Sequence, residues 1–160
     1  MISHLLHTWN LNLAYARRLV ADVADDRMAF QPAPGMNHAA WVLGHLACTG
    51  DMFGGLVGLD PVCPSGWQPT FDWNSAPVAD PARYPSKAEL LAALDAVHGG
   101  IGAALPAVPA SRWGETMPIE EIRGFLPTLG DGFVFVMTAH ENMHLGQLSA
   151  WRRAQGMGRV

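Results

Sequence analysis

Four stretches of this chain repeat apolar residues at helical spacing, and the segments between them are rich in proline and glycine. The first covers residues 3–23. Ser3 can cap it, and Leu5, Leu6, Trp9, Leu13, Ala16 and Val20 recur on one face. "FQPAPG" then breaks the chain. The second stretch runs over 37–57, with Asn37 as its N-cap. The third runs over 86–105, where Ser86 and Glu89 form a capping box ahead of "LLAALDAV" and "HGGIG" weakens the second half. The fourth opens at 129–131 and continues to 155, where Gly156 offers a left-handed stop. No stretch alternates with a period of two, and none repeats. Four helices of about 20 residues predict an all-α fold, an antiparallel four-helix bundle in a single domain over 1–160. Two long connections remain, 58–85 and 106–128. Loops of that length usually cover something or move. Trp67, Phe71 and Trp73 in "GWQPTFDWN" predict that the first packs down as a lid.

Composition narrows the partners. The net charge is −4 and the 10 Lys and Arg residues are scattered, which argues against nucleic acid. No apolar run approaches the roughly 18 to 20 residues of a membrane span, so no membrane partner is expected. "MISHLLHTWN" lacks the basic start and cleavage site of a signal peptide, so the expected location is the cytoplasm. Cys48 and Cys63 form no C-x-x-C and read as two free thiols.

Histidine placement carries the chemistry. On a helix turning about 100° per residue, His144 lies about 40° from His140, Gln147 about 20° to the other side, and Phe133 and Trp151 within about 20°. The histidines of His140-Glu141-Asn142-Met143-His144 therefore share an apolar, inward stripe, with Glu141 on its flank. On the second helix His45 also lies on an apolar stripe, within about 20° of His38 and Met52. If the two helices pack, His45 meets His140 and His144. An i,i+4 pair clamps a divalent metal from one helical face, and a third imidazole would leave open positions for chemistry. Glu141 is then a candidate base or hydrogen-bond acceptor, and Gln147 a candidate to bind a ligand or orient a histidine. His38 and Cys48 are candidates to close the site as a fourth ligand. His4 and His7 are expected near the bundle end, and His98 as an ordinary core histidine. The three imidazoles alone suit Zn, Ni, Fe or Cu. A plain module with hydrogen-bonded core histidines is the alternative without a metal.

H-E-x-x-H is also the zinc-protease string. The sixteen residues after His144 contain no His, Asp, Glu or Cys, and the metzincin positions are shifted or replaced, with Gly at 146 and Ala at 150. Without a downstream ligand or a strand to bind an extended peptide, proteolysis is not the expected activity.

"PAPGMNHAAWVLGHLA" and "TAHENMHLGQLSAWRRAQG" together resemble the DinB-like superfamily of metal-binding four-helix bundles. The family's histidine on the second helix maps onto His45, and its H-x-x-x-H-x-G-Q onto His140, His144, Gly146 and Gln147. The likeness extends over essentially the whole chain. It implies a three-histidine metal site, most often zinc or nickel, a small-molecule substrate and a homodimer. It also implies enzymes of thiol transferase or hydrolase type, where a low-molecular-weight thiol is activated as its thiolate. Arg17, Arg18, Arg152 and Arg153 are candidates by type to hold such a thiol, with a solvated surface as the ordinary expectation.

Overall fold

The computed structural model describes residues 2–160. Four long helices carry the fold: α1 (Ile2–Val20), α2 (Ala39–Leu56), α3 (Lys87–Ala104) and α4 (129–154). Helix α4 is continuous but not uniform, with α-helical Leu129–Val134 and Glu141–Ala154 flanking a π-helical turn, Phe135–His140. The chain is all-α, as expected. Among the described residues strand-like pairing is limited to one bridge, Thr116 with Thr128.

Helix ends follow their capping chemistry. The Ser86–Glu89 capping box opens α3. A second box, Thr128 with Asp131, opens α4. The cap of α2 is His38, not Asn37: His38 Nδ1 accepts from the Trp41 amide at 3.2 Å, which frees the Asn37 side chain for α4. Gly156, at φ 74°, ends α4 as its position predicted.

Cross-helix pairs give the directions. Arg17 meets Asp95, and Trp9 donates to the His98 carbonyl, so α1 and α3 are antiparallel. Asn37 meets Gln147, His45 meets His140 and Phe53 meets Phe133, so α2 and α4 are antiparallel too. Helices α1 and α4 run parallel, since Asn12 pairs with Met137 and Leu19 with Arg152. Helices α2 and α3 also run parallel, with Gly50 against Val97 and Gly54 against Ile101. The antiparallel expectation thus holds for two neighbouring pairs of the four. This order requires the 57–86 connection to return along α2, whose 18 residues span about 27 Å. The long first loop is therefore a necessity of the topology.

That loop lies against the front of α2. Phe71, in the one-turn helix Gln68–Phe71, is buried on Gly44; a Cβ there would stand 2.2 Å from the Phe71 ring. Helix α2 is consequently covered all round, and Trp41 to Cys48 are all buried. One 18-residue window within Pro81–Ala107, with mean hydropathy 1.4, is long and apolar enough to cross a membrane. Here Leu90, Leu94, Val97 and Ile101 are buried in the bundle core.

The apolar interior forms two clusters. One gathers Leu19, Leu43, Phe71, Leu94 and Trp151; the other gathers Trp9, Phe53, Ile101, Met117 and Phe133. Where they meet, each helix contributes polar side chains to the waist: Asn12 from α1, His45 from α2, His98 from α3, and His140, Glu141 and His144 from α4.

Gly44→Ala should force Phe71 off α2 and cost about 1–3 kcal/mol, the usual range for overpacking. Urea unfolding checks it; an unchanged midpoint would mean that the loop does not seat on Gly44.

Candidate metal centre

The waist brings together three of the histidines that the sequence singles out. His45, His140 and His144 offer one nitrogen each, all within 4.8 Å of one another, and His45 Nε2 lies 3.1 Å from His140 Nε2. Two nitrogens bound to one tetrahedral ion at 2.0–2.1 Å stand about 3.3 Å apart, so the spacing fits a shared cation.

Hydrogen bonding fixes which nitrogens face inward. His45 Nδ1 lies 2.7 Å from the Phe71 carbonyl, which can only accept, so Nδ1 carries the proton and Nε2 is bare. Gln147 Oε1 accepts from Asn37 Nδ2 at 2.9 Å and from His144 Nδ1 at 2.9 Å, so the bare nitrogen of His144 is also Nε2. Two lone pairs therefore converge in a buried space, a costly arrangement unless a cation or proton lies between them. His140 sits at the edge; its Nδ1 is buried and has no partner among the described residues. Burial, the main cause, pulls the His140 imidazole down to about 3 and His144 to about 4, and repulsion from neighbouring imidazoles adds to both. Burial also lowers His45, partly opposed by its bond to the Phe71 carbonyl. Neutral imidazoles with fixed tautomers are the form that ligates a metal.

The π-helical turn aims His140. Hydrogen bonding to i+5 takes in an extra residue and shifts the helical phase. A straight helix would put Phe135 about 140° from His140, yet their rings stand 5.8 Å apart. Phe133, expected on the histidine stripe, instead packs with Met137 into the cluster around Trp9. Side chains engage carbonyls in and next to the turn. Asn12 of α1 donates to the Met137 carbonyl, Thr138 to that of Val134, and Asn142 to that of Thr138.

Above the trio opens a cavity of about 300 Å³. Trp41 stacks on His45, with ring centroids 4.7 Å apart, and its indole donates to Ser75. The crossover and the 105–128 connection supply the walls, through Trp73 on one side and Ile122, Phe125 and Leu126 on the other.

The remaining candidates divide. Gln147 holds His144, as its face predicted. Glu141 does not join the trio. About 100° round from His140, it is buried with Oε1 2.7 Å from His98 Nε2, and His98 stacks on Trp9 at 3.6 Å. Burial raises the Glu141 carboxyl, opposed by the bond from His98. This ion pair or neutral pair joins α3 to α4 behind the histidines, and Glu141 has no place as a base facing the cavity. His38 is committed at both nitrogens, to the Trp41 amide and the Val78 carbonyl. Cys48 neighbours Cys63, away from the cavity lining. His4 and His7 are exposed. Gly146 is exposed with open space around it, so packing does not account for it. Arg17 pairs with Asp95. Arg152 departs from the solvated expectation: it is buried and bonds Asp22 and the Leu19 carbonyl, tying α4 to the end of α1.

Sequence reasoning passed over the Phe71 carbonyl, the Asn37–Gln147 bond, the His98–Glu141 pair and the walls from 122–126. Only His98 and Glu141 carried a signal, the first as an expected core histidine and the second as a candidate hydrogen-bond acceptor on the flank of its stripe.

A helical bundle with three inward, neutral histidines able to hold a metal ion is the class that fold and site define. The chain belongs to the DinB superfamily, whose family model matches residues 6–148. A conserved protein from Enterococcus faecalis, solved by crystallography, shares the fold with a TM-score of 0.79 at 19% identity, over 96% of each chain. No curated protein matches the sequence.

Acid should destabilise the metal-free protein. His38, also held at about 4 by burial, joins His140 and His144 in having a folded value below the ordinary 6.5 or so. The unfolded chain takes up protons first, so this stability is complete above about pH 6.5 and is lost as pH falls toward 4 and 3. Urea midpoints in chelator should drop between pH 7 and 4.5; a flat profile would contradict neutral burial.

Proposed function

We propose that this protein is a metal-dependent enzyme of thiol transferase or hydrolase type, acting on a small molecule at a divalent ion held by His45, His140 and His144. The observation that carries the reading is the open side of the trio. Three bare or orientable imidazole nitrogens face a cavity, and neither candidate fourth ligand, His38 or Cys48, stands among them. A zinc or nickel ion there would supply a Lewis acid with free positions, able to lower the pKa of a thiol or water.

The chain's own residues perform the rest. The Phe71 carbonyl and Gln147 keep the Nδ1 protons of His45 and His144, which holds both Nε2 atoms bare and both rings in place. Trp41 stacks on the His45 ring, and Phe135 stands beside that of His140. Glu141 supports the frame through His98 rather than moving a proton in the cavity. The alternative, a bundle that carries metal without turning over substrate, would need a fourth protein ligand, and the positions of His38 and Cys48 disfavour it.

Protein purified without a histidine tag should bind about one zinc or nickel per chain. His45→Ala and His140→Ala should abolish that binding. Gln147→Leu should weaken it about 10- to 100-fold. Glu141→Gln should keep it while lowering stability. Elemental analysis and metal titration check all four; a wild type that neither binds nor is stabilised by either ion contradicts the reading.

A further inference from the structure

The cavity above the histidines is nearly devoid of charge. Apart from the trio, its lining is Trp41, Trp73, Met52, Met143 and a set of Phe, Leu, Ile and Val side chains, with Thr49 the one hydroxyl. Among the described residues, no Asp, Glu, Lys or Arg lines it. The arginines nearest in kind to an anion clamp are engaged elsewhere. Arg17 pairs with Asp95, Arg112 with Glu115 and Arg152 with Asp22, while Arg123 donates to the carbonyls of Met117 and Pro118. The apolar character continues past the mouth. Trp73, Phe125 and Met143 line the cavity and are also 47%, 67% and 51% exposed.

We infer that the site takes an uncharged, apolar or aromatic small molecule with a single metal-binding head, such as a hydrophobic thiol or carbonyl compound. It does not take a charged group into the cavity. This rests on the metal reading above and adds the substrate class to it. An anionic group in this cavity would lose its hydration and find no cation or donor array in return. An apolar tail gains from leaving water, and the rim offers it surface before it enters. A cavity of about 300 Å³ is at the small end of ligand pockets, with room for one ring and a short chain. The polar groups at the floor fix one end of the ligand; the aromatic walls select the other. Trp41 and Phe135 stand against His45 and His140, so the apolar selection begins immediately beside the coordinating nitrogens.

The test uses three probes with one chelating head: acetohydroxamate, 4-phenylbutanohydroxamate and the monohydroxamate of succinate. Each is titrated into zinc-loaded protein, followed by quenching of tryptophan fluorescence. Zinc content is measured on the same sample first. A sample that holds no zinc refutes the metal reading before any probe is added. With zinc present, the phenyl probe should bind at least about tenfold tighter than acetohydroxamate, and the succinate probe no tighter than acetohydroxamate. Phe125→Asp, at a rim position 67% exposed whose ring meets Phe135 edge-on, should remove most of the phenyl advantage while zinc content stays constant. Equal binding of the three probes by zinc-loaded protein would overturn the inference, as would tightest binding of the succinate probe. A phenyl advantage unchanged in Phe125→Asp would overturn the part assigned to the rim.

Discussion

Two histidine protons hold this site together. The Phe71 carbonyl accepts a hydrogen bond from the Nδ1–H of His45, and Gln147 Oε1 accepts one from that of His144, so both rings present a bare Nε2 to the same buried space. Each anchor depends on a distant part of the chain. Phe71 reaches His45 because the crossover must run back along α2, and because Gly44 lets its ring lie on the helix backbone. Gln147 is in turn fixed by Asn37, just ahead of α2, so the start of one helix orients a ligand on another. Removing any of these contacts leaves the histidine in place and loosens its aim.

The waist of the bundle concentrates polar groups that a purely apolar core would exclude. Asn12, His98 and Glu141 occupy one sector, and the trio the other. The two sectors are linked through the π-helical turn. Asn12 donates to the Met137 carbonyl inside it, and Glu141, the residue after it, is tied to His98. Buried imidazoles kept neutral and convergent lone pairs both oppose folding, and the apolar clusters on either side must offset them. π-Helical turns recur at functional sites for this reason: they are retained where re-aiming a side chain outweighs the loss of regular hydrogen bonding.

Much of this was legible in the sequence. Helical periodicity located all four long helices within a few residues, and the Ser86–Glu89 box and Gly156 behaved as their chemistry requires. The i,i+4 spacing of His140 and His144 survives because the α-helical segment that begins at Glu141 is regular, and His45 was found because its stripe could meet them. The departures around the π-helical turn have one cause: a wheel assumes constant rotation. The π-helical turn breaks that assumption at His140, so Phe135 stands beside His140 and Phe133 packs in another cluster. Helical phase put Glu141 on the flank of the stripe as a candidate base or hydrogen-bond acceptor, and its partner, His98 on α3, is one that no local pattern announces. Helix directions were equally hidden, since a loop's length does not say whether it returns along the bundle or turns at its end.

X-ray absorption at the zinc edge, on protein loaded with one equivalent of zinc, tests the central claim most directly. Three imidazole nitrogens at about 2.0–2.1 Å, with the remaining coordination made by light exchangeable atoms, is the result the account predicts. A sulfur scatterer at about 2.3 Å, or a shell closed by four protein ligands, would contradict it.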